Sequence, residues 1–156
     1  GFLQEVARLQ PGEVKWSRQA PTGKNGAFGR RRGLSLLAGA PVFDERTGAC
    51  FGAVVIEMSL ANEMRQLAAS LRKGAYEIFV TDPAGTVLMR QQKDSRLELE
   101  PAKAGIGRFV PAAEAFFADG NDQHIGSDDS TFIAIRCRLD PDDPATALGL
   151  VFRLAD

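Results

Sequence analysis

Histidine is nearly absent. The 156 residues hold one, His124, which removes most histidine-built catalytic and metal constellations. Cysteine is scarce too. Cys50 and Cys137 stand far apart with no CxxC or CxH spacing, so an ordinary structural zinc site is excluded. Two isolated cysteines carry no disulfide framework, and whether they pair stays open, as does the redox compartment. An excess of either charge is also missing: 19 Lys and Arg face 20 Asp and Glu. That balance argues against nucleic acid or an anionic membrane surface as the main partner. No run approaches the roughly 20 apolar residues that cross a bilayer; the uncharged stretch 33–43 is short and interrupted by Gly39 and Pro41. No signal-peptide pattern and no initiator methionine open the chain, which therefore reads as a piece of something larger. What is present is a globular composition, 44% hydrophobic and 25% charged.

The patterning gives an order of elements. Phe2, Val6 and Leu9 fall at helical spacing, and Pro11-Gly12 stops the pattern. Residues 13–18 alternate, with Val14 and Trp16 on one face of a half-buried strand. Residues 20–33 are a glycine-rich, charged loop. An apolar strand over 34–42, ending at Pro41, leads through the polar turn 44–48 into a second apolar strand over 51–58, an antiparallel hairpin. Ser59 caps a helix whose Leu60, Met64, Leu67, Ala68 and Leu71 form one apolar stripe, with Gly74 as its stop. Residues 76–81 return to strand. Asp82-Pro83-Ala84-Gly85 has the composition of a type I turn, and 86–89 is its partner strand. Residues 91–107 are polar and irregular. Pro111 starts a short helix through Phe117 that ends at Asp119-Gly120. Strands over 131–139 and 148–154 flank a turn at 140–144. The sum is an α+β chain of two pieces: a helix with about three strands, then about five strands with a short helix.

At this level the chain resembles a known family. "APVFDERTGACFGAVVIEMSL" at 40–60 looks like the strand–turn–strand of extracytoplasmic PAS-like sensor domains, the Cache (PDC) superfamily. "YEIFVTDPAGTVLMR" at 76–90 is similar to the first hairpin of the membrane-proximal module in double Cache domains. "PGEVKWS" at 11–17 resembles a strand ahead of the ligand loop, and "RFVPAAEAFF" at 108–117 the proximal helix. Two positions depart from the family pattern. Leu37 stands where relatives often carry an arginine, and Met89-Arg90 where they often carry His-Pro. The resemblance implies PAS-like antiparallel sheets, with a partial membrane-distal module and its linking helix at 1–73 and a complete membrane-proximal module at 74–156.

Each candidate site has a plainer explanation beside it. Gly23, Gly26 and Gly29 before Arg30-Arg31-Arg32 could cradle an anion; a solvated loop explains them as well. In the sensor reading Trp16 walls a ligand pocket, Arg31 and Arg32 pair a ligand carboxylate, and Asp44 faces the same pocket. Core packing explains Trp16, and turn formation explains Asp44. Asp128-Asp129 and the acidic stretch 140–143 suit solvated turns better than a cation, since neither follows an EF-hand spacing. His124, with Asp122, Asp128, Ser127 and Ser130 nearby, lacks a nucleophile elbow and gives no hydrolase. Arg136 and Arg138 share a strand face, lining a groove or decorating the wet side of a sheet.

These residues favour a sensor over an enzyme. The resemblance implies the extracytoplasmic, periplasmic input domain of a bacterial transmembrane signalling protein such as a histidine kinase, diguanylate cyclase or chemoreceptor. Its ligand would be a small solute of the organic-acid or amino-acid class, and its membrane anchors would lie outside this sequence. A homodimer is compatible with that reading. No cofactor is expected, because no cysteine or histidine is placed for flavin or haem. The alternative is a PAS-like dimerisation or interaction module with no small ligand.

Overall fold

The computed structural model describes residues 1–19, 34–71, 76–94, 96–99, 103–120, 122–126 and 131–154. It divides into two compact units, Gly1–Leu60 and Ala61–Asp156.

The first unit contains a helix and a three-stranded antiparallel sheet. Helix α1 (Phe2–Val6) precedes β1 (Lys15–Gln19), β2 (Ser35–Phe43) and β3 (Cys50–Ser59), and the sheet order is β1-β2-β3. Alternation along the strands sorts the side chains to two faces. Lys15, Gly39 and Val55 lie in one cross-strand row, and Trp16, Ala38 and Ile56 in the next. Helix α1 covers the Gly39 side. A Cβ at Gly39 would meet Val6 Cγ2 at 2.6 Å and the Phe2 ring at 3.0 Å, so only glycine lets the helix sit this close. Lys15 Nζ adds a weak ion pair to Glu5 at 3.7 Å.

Strand β2 does not stop at Pro41, as its proline suggested, but runs to Phe43. Strand β1 ends opposite Gly39, so Pro41 lies where one side of β2 is open and its missing N–H breaks no ladder there. Leu37 is buried, a packing position here. Strand β3 is the outermost strand among the described residues. It exposes Phe51, Val54, Ile56 and Met58, with Phe51 71% and Ile56 63% accessible.

Helix α2 (Leu60–Ser70) carries the expected stripe: Leu60, Ala61 and Met64 are buried, and Leu67, Ala68 and Leu71 half-buried. The residues expected to end it, 72–74, lie outside the described residues.

The second unit is a six-stranded antiparallel sheet built from β4 (Tyr76–Thr81), β5 (Val87–Gln91), β6 (Leu97–Leu99), β7 (Gln123–Gly126), β8 (Phe132–Cys137) and β9 (Leu148–Leu154). Its order is β6-β5-β4-β9-β8-β7. Strand β4 is central and five of its six residues are buried, the apolar Ile78-Phe79-Val80 together with Glu77 and Thr81. The turn to β5 forms as its residues dictate. Asp82 Oδ1 accepts from the Ala84 and Thr86 amides at 3.0 and 2.9 Å, and Gly85 takes a left-handed φ of 83°.

Between β5 and β7 the chain crosses one face of the sheet. It forms 3-10 turns at Ile106–Arg108 and Pro111–Ala113, then helix α3 (Glu114–Asp119). Gly120 closes α3 in the left-handed conformation, φ 71°, as Asp119-Gly120 suggested. Under this cover lie Phe79, Val87, Phe132, Ala134 and Val151, and Phe116 of α3 joins them, all buried. Strands β6 and β7 were not expected. They are segments of three and four residues at the sheet's two edges, too short for patterning to mark, and cross-strand pairing makes them strands.

Candidate functional site

Of the four residues expected to bind a ligand, Trp16 and Asp44 lie among the described residues, and these two stand apart. Trp16 is half-buried in mid β1, opposite Ala38 and on the face that carries Ile56. Arg31 and Arg32 lie outside the described residues, as does the glycine-rich loop before them. Asp44 follows β2, six positions beyond Ala38, which puts it about 20 Å from the Trp16 row along an extended strand.

Asp44 is occupied by its own turn. Its Oδ1 accepts from the Thr47 hydroxyl at 2.9 Å and from the Thr47 and Arg46 amides at 2.7 and 3.0 Å. These bonds, the Thr47 hydroxyl first, hold its carboxyl below the usual value of 3.8, against a small opposing effect of desolvation. A carboxylate whose folded pKa is lowered stabilises the turn above its unfolded pKa, and that contribution disappears as pH falls through the lower, folded one. Asp44→Ala therefore loosens the hairpin at neutral pH. The gap between variant and parent closes below about pH 4. Exchange of the Gly48 amide, bonded to Asp44 O at 2.8 Å, reads this directly.

The second unit holds two arginine sites. The first was not foreseen. Alternation in Tyr76–Thr81 puts Glu77 on the same face as Phe79 and Thr81, and Glu77 is buried. A buried carboxylate requires partners. Arg90, opposite Phe79 on β5, donates to Glu77 Oε1 at 2.7 Å, and Arg153, opposite Glu77 on β9, donates to Oε2. Arg153 also donates to the Phe109 carbonyl at 2.6 Å. Both guanidinium groups lie within 6 Å of the Phe79 ring centre. The sequence signal was an acid sharing alternation with two core residues. This cluster locks three strands together.

The second arginine site is a groove at one end of the sheet. Pro83 of the β4–β5 turn, Phe117 and Gly120 of α3, and Pro144 and Ala147 of the β8–β9 connection converge there around a cavity of about 310 Å³. Arg136 and Arg138 reach it from β8. Their face is the one that carries Phe132 and Ala134, the covered side of the sheet and not the wet one. Arg138 is engaged by Asp122: its Nε and Nη2 donate to Oδ1 at 3.2 and 2.9 Å. Arg136 lies with its guanidinium carbon 5.4 Å from the Phe116 ring centre, and its Nη2 donates to the Phe117 carbonyl at 3.4 Å.

The remaining polar clusters have structural jobs. Asp140 accepts from the Asp142 amide and Asp143 from the Ala145 amide, both as turn formers. His124 stands beside the Phe132 and Phe116 rings, at 5.7 and 6.5 Å. Residues 127–130 lie outside the described residues. Cys50 and Cys137 are both free thiols, and partial burial raises the pKa of Cys137.

No protein-family model matches the chain, and none of the curated proteins does. Solved structures do. The chain is similar to the periplasmic sensory domain of the Campylobacter jejuni chemoreceptor Tlp1, at 12% identity over 97% of this chain and 53% of that one, with a TM-score of 0.57. Looser likenesses are to methyl-accepting chemotaxis protein X, at 14% identity over 97% and 52% with a TM-score of 0.49. A third is to the ligand-binding domain of the Pseudomonas fluorescens chemoreceptor CtaA in complex with L-serine, at 15% over 94% and 57% with a TM-score of 0.48. The chain spans little more than half the length of each. Its two antiparallel sheets, with helices over one face of the second, are an α+β arrangement similar in fold to that periplasmic sensory domain, in line with the PAS-like antiparallel sheets expected.

Proposed function

We propose that this chain is the ligand-sensing input region of a bacterial transmembrane receptor, facing the periplasm and anchored by segments outside this sequence. One observation carries the reading: over 97% of its length the chain is similar in fold to the periplasmic sensory domain of a chemoreceptor. No helix among the described residues is long and apolar enough to cross a membrane. In this reading residues 1–73 are part of a membrane-distal module with its linking helix, and 74–156 are a membrane-proximal module. Strands β1, β2 and β3 follow one another as β7, β8 and β9 do. In the second unit β4 flanks β9 on its other side; β3 has no such neighbour among the described residues. That difference supports a distal module of which only part is present.

The ligand is a small solute of the organic-acid or amino-acid class, and the chain performs no catalysis. Binding acts by favouring one of two packings of the domain, and the shift passes to the membrane as a small displacement of a helix. A thermal-shift screen of organic acids, amino acids and amines tests this. A solute at a hundred times its Kd adds about 2.7 kcal/mol, a rise of several degrees for a domain of this size. Failure of every class to raise the melting temperature counts against it. A ligand-independent dimer in light scattering would then favour the interaction-module reading.

A further inference from the structure

We propose that the groove at the end of the second sheet is a binding site for a small monocarboxylate with an apolar body, and that Arg136 pairs with the carboxylate. The proposal concerns the chemistry of this groove and stands whether or not the chain signals.

Three observations converge. First, Arg136 is half-buried, and no carboxylate among the described residues pairs with it. Among the described residues its guanidinium makes one hydrogen bond, at 3.4 Å to the Phe117 carbonyl, which leaves most of its five N–H donors uncommitted there. A cation removed in part from water and left without an anion is poorly compensated, so the site favours a carboxylate delivered from outside. Second, a neighbouring acid, Asp122, whose carbonyl accepts from the Arg136 amide at 2.7 Å, is already engaged. Asp122 is held by two donors of Arg138, so Arg138 is close to neutral as a pair and Arg136 supplies the net positive charge. Third, the walls are apolar. Pro83, Phe117, Pro144 and Ala147 surround a cavity of about 310 Å³, which suits a ring or short chain with one charged end.

The floor of the groove is set by its neighbours. A Cβ at Gly149 would meet Phe117 Cε1 at 2.4 Å and Thr81 Oγ1 at 2.3 Å, so the Phe117 ring sits where only glycine allows. Thr81 is buried, and its hydroxyl has no hydrogen-bond partner. The ring therefore closes the groove over an unpaired hydroxyl.

Calorimetric titration with phenylacetate, and with phenylacetamide as its neutral counterpart, tests the proposal. Phenylacetate should bind saturably and phenylacetamide about tenfold more weakly or worse, since the charge-assisted bonds are lost. Arg136→Gln should weaken phenylacetate by a similar factor and leave phenylacetamide unchanged. Amide chemical shifts of the parent protein should move at Gly120, Arg136 and Ala147, and this measurement decides even if the variant fails to fold. Equal binding of acid and amide, shifts confined to other residues, or no binding of phenylacetate at millimolar concentration would overturn it. A solute that stabilises the chain without moving these amides would sustain the sensor reading and remove this one.

Discussion

Replacing Glu77 with alanine is expected to cost about 3–5 kcal/mol of stability, the range for removing one partner of a buried ion cluster. The variant leaves Arg90 and Arg153, both mostly buried, without their shared counter-ion. It also leaves the Phe79 ring between two cations, of which Arg90 keeps only the distant Glu98, at 4.0 Å. Urea denaturation followed by circular dichroism measures the loss. A loss below about 1 kcal/mol would mean that the cluster behaves like a surface ion pair. The companion experiment separates charge from shape. Changing Glu77, Arg90 and Arg153 together to methionine should recover most of the loss, because well-packed apolar side chains often match or exceed a buried ionic cluster.

Phe132→Ala should be as damaging, about 3–5 kcal/mol, for a different reason. Phe132 is fully buried, and its ring fills the space above Gly126, where an added Cβ would lie 2.2 Å from Cε1. Phe79, Phe116 and Val151 belong to the same core, and the His124 ring stands 5.7 Å away. Truncation opens a cavity under α3 and removes the side chain on which β7 rests. Urea denaturation gives the magnitude, and hydrogen exchange adds location. The amides of β7 should lose protection first, since β7 is a four-residue edge strand held only by β8.

Much of this architecture was legible because local chemistry and tertiary packing agree. The Asp82–Gly85 turn, the Gly120 stop and the stripe on α2 each follow from side chains acting over one or two turns of chain. The two short strands were not legible. Leu97–Leu99 and Gln123–Gly126 have too few residues for a period to show, although their partners β5 and β8 each lie only five residues away. Pro41 misled for a related reason: whether a proline ends a strand depends on which neighbour is missing beside it. The site was the least legible part. Trp16 and Asp44 are near one another in pattern but separated along the hairpin, and Asp44 is committed to Thr47. Arg136 could be placed on a strand face from sequence, but the helix covering that face could not. Glu77 carried the strongest unused signal, an acid in phase with Phe79.

Strand β3 sets a condition on how this chain can be handled. About half of its amides and carbonyls point away from β2, on a strand ten residues long with four large apolar side chains in water. Glu57 is the only charge along it. Such an edge acts as a template, adding any extended segment that presents itself, a neighbouring molecule included. In concentrated solution, colloidal behaviour is therefore governed by these ten residues more than by the near-zero net charge, and a lysine introduced at Val54 or Ile56 is the first change to make for a well-behaved sample.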